Sequence, residues 1–540
     1  MTSTTAEQDG SVRPLGAQIS HMLKQRGVDT IFGIPGVHNV EMYRGIEEAG
    51  IQHVLARHEQ GAGFMADGYA RATGGFGVCY VITGPGLLNT LTPLGQAYSD
   101  SVAVLAISSC LDETAARRGQ LHQMLDQEAA ADTVCDWSHE AKSPEAAYTL
   151  VDRALTEFAA QRKRPKHMQV PIARLGAMAP PAPVAVGAKQ TAGRRTPGDL
   201  SGFAATVLAA QKPLFIFGGG VGRHGNEETV RAAMHRCGAA AFTTYAGGGL
   251  LEADDPMSFG CYLGRPESER FIAESDLVIA IGTELSECDL WRNELGHTGT
   301  FVRVDIDPEV LSDEHRADIV FHADGIAFLE ELLSHFPEGT SAKWDADQIS
   351  AAKARFKAET DAERPGIVEI CDALASVMPE DAMLYSDMTQ FAYVAKEVWN
   401  MPRAGHWHHP SGFGTLGYAL PASIGGAVAR AGLPTVCIAG DYGFQYTIQE
   451  FGTAVELGLP VPILLWDNGK LKEIEDSMVA SQIAPNAVIA QNPDFCKLAE
   501  AYGAHAKAPK TLEELQAALL EALKADRPTL IHMMPSLTAK

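Results

Sequence analysis

The sequence predicts an α/β protein built from three Rossmann-like domains, each around a parallel sheet. Three observations predict it. The chain has 540 residues, too many for one hydrophobic core. Short β-rich apolar runs alternate with longer amphipathic stretches, as they do in βαβ units. Two stretches without amphipathic period, 177–198 (AMAPPAPVAVGAKQTAGRRTPG) and 337–348 (PEGTSAKWDADQ), read as linkers and cut that pattern into three.

The first segment, 11–176, offers strands at Thr30–Ile34, His53–Ala56, Gly77–Ile82 and Val102–Ser108, and closes on His167-Met-Gln-Val-Pro171. The second, 199–336, offers Pro213–Phe217, Leu277–Ile281 and Thr300–Ile306. Its glycine-rich run PLFIFGGGVGR (213–223) is explained as well by a tight strand-to-helix turn as by a nucleotide loop. The third, 363–540, offers Ala382–Ser386, Thr435–Ala439, Val461–Trp466 and Thr529–His532. The three segments are similar enough in texture to be distant copies of one another.

Charge and cysteine usage narrow the function classes. Forty-three basic against 67 acidic residues give a net charge of −24, which a nucleic acid or an acidic membrane would repel. Nine cysteines are scattered with no CxxC pair, several of them in apolar runs such as Val436-Cys437-Ile438, which reads as buried reduced thiols. The start, MTSTTAEQDGSVRP, has no apolar signal region, and no run approaches 18 apolar residues. The expectation is a cytoplasmic protein without nucleic-acid or membrane partners.

The strongest chemical signal lies in the third segment. Strand Thr435–Ala439 runs into Gly440-Asp441-Tyr442-Gly443-Phe444, a helix is expected from about Tyr446 to Leu457, and strand Val461–Trp466 ends in Asp467-Asn468-Gly469. Asp441 and Asn468 thus follow the C-terminal ends of two strands of one βαβ unit, where open α/β sheets bind ligands. Two hard side-chain oxygens and a backbone carbonyl beyond suit Mg²⁺ or Ca²⁺. The helix N-terminus favours an anion at the same place. The plain alternative is an ordinary turn carrying a surface aspartate.

The run GDYGFQYTIQEFGTAVELGLPVPILLWDN resembles the signature of thiamine-diphosphate (ThDP) dependent enzymes, GDG followed some two dozen residues later by NN; here Asp441 and Asn468 are 27 apart. The resemblance implies that Asp441 and Asn468 bind Mg²⁺ through their side chains and Lys470 through its carbonyl, with Gly440, Gly443 and Phe444 around the diphosphate. Two positions depart from the pattern: Tyr442 replaces a Gly, and Asp467 replaces the first Asn. If that Gly has φ > 0, Tyr442 costs of order 1 kcal/mol or more.

Two further blocks carry the same resemblance. RHEQGAGFMADGYARATG (57–74), with GIPG (33–36) and ITGPGLLN (82–89), resembles the pyrimidine-binding domain of these enzymes. It implies that Glu59 hydrogen-bonds the aminopyrimidine ring, a role that suits a buried carboxyl with a raised pKa. Read alone, Glu59 is a common dipole-complementing residue of a first helical turn. SGFGTLGYALPA (411–422) resembles the stretch before the metal motif, and implies that Leu416 bends the cofactor while the Gly414 carbonyl accepts from its amino group. Gln390, in SDMTQ, would touch the diphosphate. The resemblance covers nearly the whole chain and names its parts: pyrimidine-binding domain 11–176, central domain 199–336, diphosphate-binding domain 363–540. In this family the cofactor bridges the first domain of one subunit and the third of its partner, which implies a homodimer, commonly a homotetramer.

The family chemistry removes CO₂ from a 2-oxo acid, with the cofactor as electron sink. Release of an aldehyde makes a decarboxylase; coupling to a second carbonyl makes a carboligase. Leu121-His122-Gln123-Met124 resembles the F-H-R-M stretch of pyruvate decarboxylase-like enzymes, which implies His122 as a proton relay with Gln123 beside it in the substrate pocket. The Gln-Glu of the acetolactate synthase loop has no close match there. The resemblance to ThDP decarboxylases, in which the residues five and six past this Asn line the substrate pocket, implies that role for Glu473 and Ile474, and a carboxylate there would select a cationic tail. GIPGVHNVEMYRGI (33–46) and GQLHQM (119–124) resemble decarboxylases of 5-guanidino-2-oxopentanoate (2-ketoarginine), so the expected reaction yields 4-guanidinobutanal and CO₂. His406, His408 and His409 read as a loop near the cofactor mouth in preference to a metal cluster. The alternatives are an acetolactate synthase-type carboligase, some relatives of which hold FAD in the central domain, and a non-catalytic ThDP-fold partner protein. A nicotinamide or flavin oxidoreductase rests on GGGVG (218–222) alone.

Overall fold

The computed structural model describes residues 10–113, 118–184 and 194–538. Among these, three six-stranded, all-parallel sheets carry the fold. The described residues divide into two compact units, one of those up to 184 with 413–431 and 447–459, the other of 194–412, 432–446 and 460–538.

The first unit holds the sheet Gln52–Leu55, Thr30–Gly33, Gly77–Val81, Val104–Cys110, Lys166–Pro171 and Trp137–Glu140, in that spatial order. Helices cover both faces, so Gly77–Val81 and Val104–Cys110 are buried at every residue, as parallel strands usually are. The helix Glu59–Thr73 packs against the helix Ala419–Ala429 so closely that only glycine fits at the crossing. A Cβ on Gly68 would lie 2.0 Å from the Ala422 carbonyl oxygen, and one on Gly425 would lie 1.9 Å from that of Met65. A buried network beside the crossing ties Arg71 to Asp67 (2.7 Å) and Asp100 (2.8 Å), and Tyr418 to Asp67 (2.8 Å). Met178–Ala179, from the expected linker, pairs antiparallel with Arg13–Pro14; residues 185–193 of that stretch lie outside the described residues.

The second unit holds two sheets. One runs Ser258–Gly260, Ala240–Thr243, Pro213–Phe217, Leu277–Ile281, Thr300–Asp305 and Ile319–His322. Its core takes in Trp344, Ile349, Ala352 and Phe356, and Trp344 donates to the Pro213 carbonyl at 2.8 Å. The stretch 337–348 is therefore packed and not a free linker. The GGGVG run is a turn, with the next helix beginning only at Glu227; Gly218 and Gly220 donate to the carbonyls of Ile281 and Gly282, leaving no room for side chains there.

The other sheet runs Trp407–His408, Met383–Ser386, Thr435–Gly440, Pro462–Trp466, Thr529–Met533 and His505–Lys507. Numbered by their order in the chain, its strands lie 2-1-3-4-6-5, the same arrangement as in the first unit's sheet. The middle sheet runs 3-2-1-4-5-6. The likeness between first and third segments therefore reaches the topology, and the middle segment differs. None of the nine cysteines is in a disulfide, and seven are buried. Among the described residues, no helix is long and apolar enough to cross a membrane.

Candidate active site

In the last sheet, the order reverses between Met383–Ser386 and Thr435–Gly440, which pair directly. Ligand crevices of open α/β sheets form at such switch points. Asp387 and Gln390 follow the first of these strands and Asp441 follows the second; Asp467 and Asn468 follow the adjoining strand Pro462–Trp466. The local helix differs from the sequence expectation. It starts at Asp441, directly on the strand end, and runs Asp441–Tyr446; a second helix, Glu450–Glu456, follows. Tyr442 is thus a helical residue and is not among the residues of positive φ, so its Cβ meets no penalty. Gly443 is the position that must stay small, because a Cβ there would stand 2.5 Å from an Asp387 carboxylate oxygen.

The side chains past these strands form two hydrogen-bonded groups, one around Asp441 and Asp467 and one around Asn468, Gln390 and Glu473. Asn492, which sequence reasoning missed, donates to Asp441 Oδ2 at 2.6 Å and to Asp467 Oδ1 at 2.9 Å. His532 binds the other oxygen of Asp467 at 2.8 Å. Burial pushes the Asp441 carboxyl up and the Asp467 charge adds to this, against the hydrogen bond from Asn492. Burial also opposes ionisation of Asp467, but His532 and Asn492 outweigh it and hold that carboxyl below the usual range. Asn468 donates to Gln390 at 2.9 Å and accepts from the Lys470 N–H at 3.2 Å, which leaves a lone pair on its Oδ1. A buried carboxylate beside a second carboxylate, with a neutral amide oxygen from the next strand end, is a hard-oxygen donor set lacking only positive charge. It fits a divalent cation. No sequence signal marked Asn492: it sits in a loop that folds back so that Leu471 donates to the Val488 carbonyl at 2.8 Å.

Glu473 departs from expectation. It is not an unpaired charge. Arg364, at the end of the helix Ala346–Glu363, donates Nε and Nη2 to its two oxygens, both at 3.0 Å, and Gln390 donates to Oε1 at 2.9 Å. These bonds overcome burial and hold the Glu473 carboxyl below its ordinary range. Ile474 follows on the same helix, half-exposed. His406, His408 and His409 are buried, with His409 Nδ1 bonded to the Ser386 hydroxyl at 2.9 Å and His406 Nδ1 to the Ala404 carbonyl at 3.1 Å. Among the described residues, the one cluster of three His, Cys, Asp or Glu side chains with metal spacing is Asp199, Glu331 and His335, on the surface and made of other residues.

In the first unit, three loops leave neighbouring strand ends at the equivalent switch point. The Ile34–Gly36 turn follows Thr30–Gly33, Glu59 follows the edge strand Gln52–Leu55, and Gly84–Gly86 follows Gly77–Val81. Glu59 opens its helix, half-buried, and accepts from Asn89 at 2.9 Å. The turn before it is held by Glu450, whose carboxylate accepts the N–H groups of Arg57 (3.1 Å) and His58 (2.9 Å) and the Thr453 hydroxyl (3.1 Å). Burial lifts the Glu450 carboxyl to about 7 despite these bonds. Gly61 leaves room for it, since a Cβ there would lie 2.3 Å from Glu450 Oε1.

His122 has φ +64° and packs edge-on against His38, ring centres 4.8 Å apart. Both Nδ1 atoms are buried without a hydrogen-bond partner. Burial, with the His122 charge adding to it, lowers the His38 pKa. Gln123 donates its N–H to the Gln120 carbonyl at 3.1 Å in the same loop. Sequence reasoning missed His38, although its place two residues after the GIPG turn was a usable signal. Gly414, with φ +67°, and the partly buried Leu416 lie in this unit, with Thr415 bonded to Gln96 at 2.8 Å. The predicted residues thus fall into two groups, Asp441, Asn468, Gln390, Lys470 and Glu473 in one unit and Glu59, His122 and Leu416 in the other.

Comparison with known proteins agrees with the motifs. The family described as thiamine pyrophosphate enzyme, N-terminal TPP binding domain, matches residues 13–130; its central domain matches 200–332 and its C-terminal TPP binding domain 387–533. A probable 2-ketoarginine decarboxylase of Pseudomonas aeruginosa, AruI, is 40% identical over 96% of this chain and 93% of its own length. The large subunit of acetolactate synthase isozyme 2 of Escherichia coli is 29% identical over 96% of this chain and 95% of its own. The acetolactate synthase large subunit of Parasynechococcus marenigrum is 29% identical over 96% and 86%. By three domain matches in order and a full-length relative, this chain belongs to the thiamine pyrophosphate enzyme family.

Proposed function

We propose that the chain is a ThDP- and Mg²⁺-dependent 2-oxo acid decarboxylase that converts 2-ketoarginine to 4-guanidinobutanal and CO₂. The observation that carries the substrate is Glu473, whose carboxylate already receives a guanidinium in two-point fashion from Arg364. The 40% identity to a probable 2-ketoarginine decarboxylase supports it.

When bound, ThDP supplies the electron sink on which the carboxylate of a 2-oxo acid is lost. The chain's own residues do the rest. Asp441, Asn468 and the Lys470 carbonyl hold Mg²⁺, and Asn492 sets the direction of Asp441. Gly440, Gly443, Phe444 and Gln390 form the wall for the diphosphate. Leu416 and the Gly414 carbonyl hold the coenzyme's conformation. Glu59, fixed through Oε2 by Asn89, keeps Oε1 for proton exchange with the pyrimidine ring nitrogen. His122 holds a proton on its imidazole for delivery to the product carbon, with His38 packed behind it and Gln123 and Ile474 beside the substrate.

Domains of 11–176, 199–336 and 363–540 accord with the family matches to within about 25 residues at all but one edge, the end of the first domain, where the match stops at 130. A homodimer or homotetramer is supported by the helix Lys472–Ala480, which buries none of its residues and exposes Ile474 and Val479. Nine cysteines outside any disulfide suit a reducing, cytoplasmic setting.

A carboligase of acetolactate synthase type is the second reading, favoured by the 29% identity to such enzymes. The non-catalytic reading loses its support with the helical backbone at Tyr442. Product analysis with a panel of 2-oxo acids, in the presence of ThDP and Mg²⁺, separates these. The expected result is CO₂ and 4-guanidinobutanal from 2-ketoarginine, faster than turnover of pyruvate or benzoylformate. Acetolactate from pyruvate would establish the second reading instead.

A further inference from the structure

We propose that Arg364 is a resident guanidinium that occupies Glu473 until the guanidino tail of the substrate displaces it, and that this exchange sets the selectivity of the pocket. The inference rests on the substrate reading above. Its premise is the fork-to-fork pairing of Arg364 and Glu473, with Nε to Oε1 and Nη2 to Oε2 at 3.0 Å each. Gln390 takes a third acceptor position at 2.9 Å. A carboxylate offers about four. An arriving guanidinium therefore finds one lone pair, on Oε2, and no two-point face. The head of Arg364 and the tail of 2-ketoarginine are the same chemical group, with the same planar fork, so they compete for one receptor.

Arg364 is placed to leave. It is the C-terminal cap of the helix Ala346–Glu363, already out of helical conformation (φ −139°, ψ 73°), and is followed by Pro365 and by Gly366 at φ +87°. It keeps a counter-ion when it moves, because its Nη1 lies 3.2 Å from Glu363, and its guanidinium stands 5.8 Å from the centre of the Tyr393 ring. Further ion pairs lie beside it. Arg265 joins Glu363 at 2.6 Å and also pairs with Glu397, while Lys396 lies 3.9 Å from the centre of the Tyr245 ring in the field of Glu397 and Asp289. Asp289, Glu363, Glu397 and Glu473 thus face Arg265, Arg364 and Lys396, four carboxylates to three cations. An uncharged tail has no means of displacing Arg364 and meets a filled receptor. A guanidino tail replaces like with like. Selectivity then comes from what the pocket already holds as much as from what it attracts.

The test uses the ThDP- and Mg²⁺-loaded protein, wild type, R364A, R364Q and E473Q. Substrates are 2-ketoarginine and its uncharged ureido isostere, and the binding probe is methylguanidinium chloride at millimolar concentration, against NaCl at equal ionic strength. Removing the resident cation should lower KM for 2-ketoarginine about tenfold with kcat within threefold. Methylguanidinium, followed by calorimetry without turnover, should bind both Arg364 variants at least tenfold more tightly than wild type. R364Q keeps the test open where R364A does not fold. Equal methylguanidinium affinity in wild type and variants, or a KM that rises, overturns the proposal. E473Q separates it from the reading beneath: if that variant keeps the wild-type preference for 2-ketoarginine over the isostere, Glu473 is not the selector and both fall. If E473Q loses the preference while the Arg364 variants gain no affinity, only the displacement falls.

Discussion

The carboxylates of Asp441 and Asp467 share one amide nitrogen, that of Asn492, at 2.6 and 2.9 Å. Two acids are thereby held at one strand-end crevice with different tendencies to ionise. Asp467 has His532 as a second partner, whereas burial disfavours the charge on Asp441. Under the proposed function, a divalent cation at Asp441 would offset the cost of its buried charge.

Asp441 and Asn492 should therefore differ in how much metal affinity they carry. D441N removes a charged ligand and is expected to weaken Mg²⁺-dependent ThDP binding by more than 100-fold. N492A leaves the ligand but not its orientation, and a 10- to 100-fold loss is the usual scale for such a partner. Calorimetric titration of ThDP at fixed Mg²⁺ reads both, and equal losses in the two variants would contradict the division of roles.

The site was legible where motif and topology coincide. Asp441 and Asn468 were readable because each lies just past a buried apolar strand, and the stretch between them holds two short helices and the strand Pro462–Trp466. Glu59 was readable from the small residues after it, which Gly61 and Gly68 now explain as room for Glu450 and for the Ala422 carbonyl. Asn492, Arg364 and Asn89 were not readable, because each reaches its partner by chain reversal or from a distant helix end and follows no periodic pattern. The helix start was misplaced by five residues because Gly443 read as a turn, while in the fold it clears the Asp387 carboxylate.

Asn89 donates to Glu59 Oε2, and under the proposed function this bond would orient Glu59 for proton exchange. E59Q is expected to lower kcat by 10²- to 10⁴-fold with KM within a few-fold, the scale of losing a positioned acid–base group. N89A, which only frees Oε2, should cost about tenfold in kcat, on the order of one charge-assisted hydrogen bond. Steady-state kinetics with saturating ThDP and Mg²⁺ distinguishes these outcomes; an E59Q variant with undiminished kcat would remove Glu59 from the mechanism.

His122 and His38 should separate in the same assay. H122A is expected to reduce kcat by about 100-fold, as for a general acid. H38A leaves that acid but removes the ring packed 4.8 Å from it, and should reduce kcat by less than H122A does, by loosening the position of His122. The measurement is kcat at saturating substrate, and an H38A variant with undiminished kcat would count against a positioning role for His38.

The helix crossing of the first unit makes a prediction independent of catalysis. In G68A or G425A the new methyl would meet a backbone carbonyl oxygen at about 2 Å, which no rotamer relieves. Each should destabilise by at least about 3 kcal/mol, beyond the usual range for overpacking by a single methyl, because the obstacle is backbone. Denaturant midpoints read this directly, and the double variant should lose less than the sum, since one helix shift relieves both clashes.

Glu450 should leave a signature in the pH dependence of stability. Its folded carboxyl titrates near 7 against an ordinary 4.5, chiefly because it is fully buried. The folded state therefore keeps a proton that the unfolded chain has released. The sign follows: the contribution is fully present below about 4.5, declines as pH rises, and is lost above about 7, by at most about 3 kcal/mol for a shift of this size. Replacing Glu450 by Gln removes that slope without changing the shape of the side chain. The E450Q variant should thus gain stability relative to wild type between pH 5 and pH 8, as followed by thermal unfolding. Because Glu450 also receives the N–H groups of Arg57 and His58, next to Glu59, the same substitution should shift the acidic limb of the kcat profile. A gain in stability with an unmoved profile would mean that Glu450 supports the helix N-terminus alone, and that Glu59 takes its orientation from Asn89.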